Sequence, residues 1–162
     1  MIKIEEIITS FYKSFAKHDF SGMNKYYHKD AQFSDPVFRN LQGNQIKAMW
    51  HMLCESGRDL QISFGSIGVY DNSAKVTWKA VYTFQKTGRL VHNEINAEFY
   101  FKDNLIINHF DVFNLYRWMC MALGTPGILF GWNSILQEKV RNTAKIQLEK
   151  FINGHPQYKY SA

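Results

Sequence analysis

The chain is poor in the features that staple, anchor or extend a protein. It holds only two cysteines, Cys54 and Cys120. Each lies in an apolar, helix-like setting, MWHMLCES and RWMCMAL, where a buried reduced thiol is the simplest reading. No CxxC or Cys/His spacing points to zinc, so no metal site is expected. No apolar run reaches the ~20 residues needed to span a bilayer. The opening MIKIEEIITSFYKSF carries acids inside its apolar pattern, unlike a signal peptide. A cytoplasmic protein is therefore the expectation. A run of like charge is missing too. The net charge is +5, but the lysines and arginines are scattered from Lys3 to Lys159, which suits solubility better than a nucleic-acid track. There is no internal repeat and no low-complexity segment.

What is present in quantity is aromatic and apolar surface. Aromatic residues make up 16% and apolar residues 46% of the 162 positions. That is enough for one domain with a substantial core, and the large flat side chains must fill it, line a cavity or cover an interface.

Residues 2–17 have a helical period, with Ile4, Ile7, Ile8, Phe11 and Phe15 on one stripe. His18-Asp19-Phe20-Ser21 breaks it and can cap a short helix from Gly22 to Tyr27. Ala31 to Ser34 and Val37 to Leu41 look extended. Gly43-Asn44 can open a third helix that ends at Ser56-Gly57. The period then changes. Residues 60–69, 74–86, 89–102 and 105–114 alternate or run β-branched and aromatic, as strands do. Asp71-Asn72-Ser73, Thr87-Gly88 and Asp103-Asn104 supply the turns, with Thr87-Gly88 the candidate for a tight hairpin. Four strands with short turns predict a curved antiparallel meander. Residues 115–123 read as a helix, stopped by Gly124-Thr125-Pro126-Gly127. From Gly131 a helical stripe of Leu136, Val140, Ala144, Leu148 and Phe151 follows. Segregated helices and antiparallel strands give the α+β class.

Period two sorts the meander's faces. Val91, Asn93, Ile95, Ala97, Phe99 and Phe101 share one side. Val76, Trp78, Ala80, Tyr82 and Phe84 share another, as do Ile107, His109, Asp111 and Phe113. Asp35 stands before Pro36, which holds the preceding residue extended. From spacing alone it is a turn former or a carboxylate aimed at a pocket. His109 and Asp111 are a hydrogen-bonded core pair or an acid–base pair.

The first helix with KHDFSGMNKYYHKDAQFSDPVF, then LQGNQIKAMW, the hairpin YTFQKTGRLVHNEINAEFYF and LIINHFDVFNL together resemble the nuclear transport factor two-like superfamily. The nearest sub-group is the SnoaL-like proteins, which also resemble ketosteroid isomerases. The match covers about residues 3–114, and the tail looks like the RWxxxALGxxGxLxGW segment of a SnoaL-like branch. The resemblance implies a cone: a curved sheet around a blind apolar pocket, closed by the N-terminal helices on its concave side. Here residues 115–153 add a helical extension and 154–162 a tail. It implies a lining drawn from Phe11, Phe15, Trp50, Trp78, Tyr82, Asn93, Ala97 and Phe113. Asp35 falls on the isomerases' general base. Their oxyanion tyrosine falls on Phe11 and their protonated aspartate on Ala97, and neither can donate a hydrogen bond to an enolate. The functional expectation is a small apolar ligand and, if there is turnover, cofactor-free acid–base chemistry with Asp35 as base and His109 and Asp111 as relay or orienter. The alternative is a binding or dimeric interaction module without catalysis. Many members of the superfamily dimerise through the outer sheet face. For the tail, a pocket lid or internal packing ranks before a dimer contact and a membrane contact.

Overall fold

A computed structural model describes residues 3–159. Ile2 and residues 160–162, which the expected first helix and tail included, lie outside the described residues. The element order is α1 (Ile4–Ala16), α2 (Phe20–Asn24), β1 (Tyr27–Ser34), β2 (Leu41–Gln42), α3 (Asn44–Ser56), β3 (Gln61–Tyr70), β4 (Ser73–Phe84), β5 (Arg89–Lys102), β6 (Leu105–Val112), α4 (Leu115–Leu123), α5 (Thr125–Phe130) and α6 (Ser134–Gly154), then a 3₁₀ turn (Pro156–Tyr158).

One six-stranded sheet runs β2-β1-β6-β5-β4-β3. β3 to β6 form the expected antiparallel meander. β1 joins its edge by pairing parallel to β6, with Phe33 opposite His109. Register shifts interrupt the β1–β6, β3–β4 and β5–β6 ladders. Such bulges bend a strand and increase its twist, and the sheet is curved and unclosed. Its concave side is the predicted one. Val91, Ile95, Ala97, Phe99 and Phe101 are buried, while His92, Glu94, Asn96, Tyr100 and Lys102 are exposed. Ile7, Ile8, Phe11, Tyr12 and Phe15 of α1 are buried against that side, in one core with residues of α3 and the sheet.

Local chemistry accounts for the element ends. Asp19 caps α2 by accepting from the Gly22 amide at 2.9 Å. α2 then stops at Asn24, and Tyr27 opens β1 instead of closing a helix. Residues 37–40 are not extended. Asp35 folds them back into a turn whose end is the positive-φ Asn40. At the β4–β5 hairpin the strands end at Phe84 and restart at Arg89, so the loop has four residues. A two-residue type I′ turn would need positive φ at both central positions. Gly88 takes it (φ 68°), and the β-branched Thr87 does not.

Gly124 (φ 66°) ends α4, but Pro126 then lies in the first turn of a new helix, α5, a position proline favours. α5 folds back so closely that a Cβ on Gly127 would overlap the Met119 carbonyl. We expect Gly127→Ala to cost about 1–3 kcal/mol through overpacking, read as a lowered urea midpoint. An unchanged midpoint would mean that this corner yields freely. Among the described residues, no helix is long and apolar enough to cross a membrane.

Candidate functional site

The helices after the sheet close its concave side into a cavity of about 560 Å³. Phe15, Trp50 and Trp78 form its floor, and Tyr82, Asn93, Ile95, Asp111 and Phe113 its sheet wall. The roof is the first half of the α6 stripe, Leu136, Val140 and Ala144, with Thr143 and Gln147 beside it. The second half of that stripe packs elsewhere, with Leu148 buried in the core and Phe151 packed against it. α4 closes one end. Its Trp118 lines the cavity and donates Nε1–H to the Tyr82 hydroxyl at 2.7 Å. On the other side, Arg141 Nε–H donates to the Pro36 carbonyl at 2.8 Å, fastening α6 to the Asp35 turn. The extension therefore serves as a roof. The nearby Arg39–Glu138 pair is exposed at 3.7 Å and adds little.

Asp35 stands at the rim, on the short link between β1 and β2. Its Oδ1 accepts from the amides of Val37 at 2.7 Å and Phe38 at 2.5 Å, while its own amide donates to the Phe38 carbonyl at 2.8 Å. This is an Asx-type turn. Asp35 also lines the cavity, so both readings of this residue hold together. Burial pushes its carboxyl up to about 7, the two amides oppose that rise, and the Asp111 charge adds to it.

Behind the opposite wall runs a buried chain of hydrogen bonds. Trp50 Nε1–H donates to the Tyr27 oxygen at 2.9 Å, and Tyr27 reaches His109 Nδ1 at 2.6 Å. His109 Nε2 lies 3.0 Å from Asp111 Oδ1, which also receives Trp78 Nε1–H at 3.4 Å. Burial holds the Tyr27 phenol well above its usual range, so Tyr27 keeps its proton and donates it. His109 Nδ1 is then the acceptor, and Nε2–H donates to Asp111. A fixed tautomer of this kind aims the carboxylate it touches.

The structure thus brings Asp35 and Asp111 to one cavity but leaves His109 out of its walls. His109 touches the cavity only through its contact with Asp111. Phe15, Trp50, Trp78, Tyr82, Asn93 and Phe113 line the cavity as the resemblance implied. Phe11 and Ala97 do not. Phe11 sits edge-on to Tyr12, Tyr27, Trp50, Phe99 and His109 at ring separations of 5.2–6.0 Å, and these rings fill the narrow end of the cone. Ala97 is buried among core residues. Tyr12, one position round the helix from Phe11, turns into the same core and stacks on Phe64 at 5.2 Å.

Sequence reasoning missed two contributors. Tyr27 was absorbed into a predicted helix. The Tyr82 hydroxyl was read as lining only, yet it accepts from Trp118 and so keeps a proton of its own to donate. Burial raises that phenol, and the Asp35 charge raises it further.

Residues 8–109 match the SnoaL-like domain family. No curated protein matches the chain in sequence. Among solved structures it is similar to a protein of ketosteroid isomerase-like fold from Catenulispora acidiphila, in complex with trimethylamine, with TM-score 0.66 at 10% identity over 76% of this chain and 95% of that one. It is also similar to IdmH, a candidate polyketide cyclase from Streptomyces antibioticus (TM-score 0.64, 14% identity, 76% and 100% covered). AclR, a candidate hydroxylase from Streptomyces galilaeus, is a third (TM-score 0.62, 18% identity, 72% and 92% covered). At these identities the likeness shows the fold alone.

Proposed function

The chain belongs to the SnoaL-like family, and from that premise we propose that it takes a small apolar, carbonyl-bearing ligand into its cavity and acts on it by acid–base chemistry that needs no cofactor. The reaction would be of isomerase, dehydratase or cyclase type. The observation that carries this reading is the arrival of Asp35 and Asp111 in one cavity lined mainly by aromatic and aliphatic side chains. An apolar hollow with few convergent polar groups is how small-molecule sites are built. A carboxyl near neutrality is matched to proton abstraction. In that step Asp35 takes the proton, the C–H electron pair moves into the carbonyl, and the oxygen gains negative charge. Tyr82 O–H and the Asn93 amide supply donors for that oxygen, a role the phenyl ring of Phe11 and the methyl of Ala97 cannot fill. The candidate cyclase among the structural neighbours agrees with this class of reaction. Two copies pairing through the outer sheet face fit the exposed Tyr100, Phe110 and Val112 there.

The second reading, binding without turnover, is favoured by the two amides already held on Asp35 Oδ1. Proton NMR in deuterium oxide separates the two readings, with 2-tetralone as an apolar ketone probe. The native protein is expected to accelerate loss of the α protons, with a rate that rises with pH through about 7 as Asp35 ionises. Asp35→Asn should slow the exchange by ~10²-fold or more. Ligand-induced quenching of Trp50, Trp78 and Trp118 should persist in the variant. Quenching without exchange in the native protein selects the binding module, and equal exchange in both proteins removes Asp35 from the base role.

A further inference from the structure

Away from the cavity, three ligating side chains meet where the end of α6 returns to α3. His51 and Glu55 stand one turn apart on α3, and His155 caps α6. A nitrogen or carboxylate oxygen from each lies within 4.8 Å of the other two. His51 Nε2 is already 2.9 Å from Glu55 Oε1. We propose that His51, Glu55 and His155 form a site for a divalent first-row cation of the zinc class.

Donor chemistry sets the class. Two imidazoles and one carboxylate suit zinc and its first-row neighbours, whereas calcium and magnesium want oxygen alone. Size fits as well. At the usual Zn–N and Zn–O lengths, tetrahedral ligand atoms stand ~3.3 Å apart. The His51–Glu55 separation is slightly below that. No separation needs a movement of more than roughly 1.5 Å to reach it, and the half-exposed Glu55 side chain and the cap residue His155 can supply it.

The outer contacts are those of a ligating histidine pair, whose second ring nitrogen is normally held by a carbonyl, carboxylate or water. His155 Nδ1–H donates to the Phe151 carbonyl at 2.7 Å. Its ring stacks on Phe151 at 3.9 Å between centroids. The other nitrogen is left with its lone pair, and it has no hydrogen-bond partner among the described residues. The His51 ring stacks on Phe20 at 3.6 Å, and its Nδ1 lies 3.0 Å from the Tyr158 hydroxyl. Without metal, Nε2–H of His51 donates to Glu55 and Tyr158 donates to Nδ1. With metal, the His51 proton moves to Nδ1 and is accepted by the Tyr158 oxygen, which frees Nε2 without net loss of a proton. An ordinary one-turn hydrogen-bonded pair accounts for His51 and Glu55. It does not account for a third imidazole with an open lone pair beside them. Three protein ligands leave a fourth position for water, on the side where Glu55 is open to solvent. Because α6 roofs the cavity, a metal here would pin that roof to α3.

The test uses the untagged full chain after dialysis against chelator. Calorimetric titration with Zn²⁺ is expected to give one site per chain, and Co²⁺ should produce visible ligand-field bands of four-coordinate type that Zn²⁺ abolishes. At a hundredfold excess over Kd, Zn²⁺ should raise Tm by about 5–10 °C. His155→Gln and Glu55→Gln, both accessible enough to preserve the fold, should each weaken uptake at least ~10-fold and remove the Co²⁺ bands. Absence of saturable uptake by the native chain overturns the site. So does uptake by His155→Gln equal to that of the native chain, which would place the metal on other histidines.

Discussion

His109→Ala is expected to destabilise the protein by about 3–5 kcal/mol, the usual loss when a buried charged group is left without its partner. His109 is wholly buried and Asp111 nearly so. The imidazole links the Tyr27 hydroxyl, 2.6 Å on one side, to the Asp111 carboxylate, 3.0 Å on the other. Deleting it leaves a phenolic proton without its acceptor and a carboxylate whose remaining side-chain hydrogen bond, among the described residues, is the long Trp78 contact. It also leaves a void against Phe33 and Phe99, whose rings lie 5.0 and 4.0 Å from the imidazole. Each of these is costly alone. Tyr27→Phe leaves Trp50 Nε1–H without its acceptor and His109 Nδ1 without its donor, but keeps the imidazole on Asp111, and should cost about 1–3 kcal/mol. Urea unfolding of the two variants at neutral pH measures both, and the contrast matters more than either value. If His109→Ala costs no more than Tyr27→Phe, the imidazole adds nothing to the hold on Asp111, which is then kept by other means.

That pair of residues also marks the limit of what sequence could reveal. The long strand β5 faces the core on one side and solvent on the other, so period two alone identified its inward residues. The same logic put His109 and Asp111 on one face of β6. It could not say what His109 touches, because that depends on β1 pairing parallel to β6 and bringing Tyr27 across. Tyr27 had been lost to the helical period of the residues before it, which the Asp19 cap starts but which ends at Asn24. Asp35 was legible for its backbone, since aspartate before proline is both extended and turn-forming. Its place at a cavity was legible only as an alternative and through the resemblance, because the cavity it lines is closed by α4 and α6, far along the chain. The resemblance carried the fold and most of the lining. It failed at Phe11 and Ala97, where a chain rich in aromatic residues fills the narrow end of the cone and leaves only the wide end open. The His51, Glu55 and His155 cluster was out of reach for a related reason. Two of its members share a helix turn, but the third arrives only because α6 folds back over α3.

Asp35→Asn should make the protein more stable than the native chain at pH 8 while removing any proton abstraction. The sign follows from the carboxyl's position. It titrates near 4 in the unfolded chain and is pushed up to about 7 when folded. Below about pH 4 both states are protonated, and the residue imposes no penalty. Between about 4 and 7 the unfolded chain releases a proton that the folded chain keeps, so stability falls as pH rises. Above about 7 the loss is complete, at about 4 kcal/mol for a three-unit rise, or about 2–4 once solvent reaching the rim through the cavity is allowed for. Asparagine cannot ionise, yet its Oδ1 can still accept from Val37 and Phe38, so the turn survives and the penalty disappears. Urea unfolding should therefore show the variant ahead by about 2–4 kcal/mol at pH 8 and level with the native chain near pH 4. A variant that is less stable at pH 8 would mean the opposite balance: the two amides hold the carboxylate as an ion, and Asp35 is a turn residue whose charge the fold wants. A stability penalty confined to the working pH range is what a group kept for chemistry imposes. The sign of this one difference therefore separates a base from a structural aspartate even before a substrate is known.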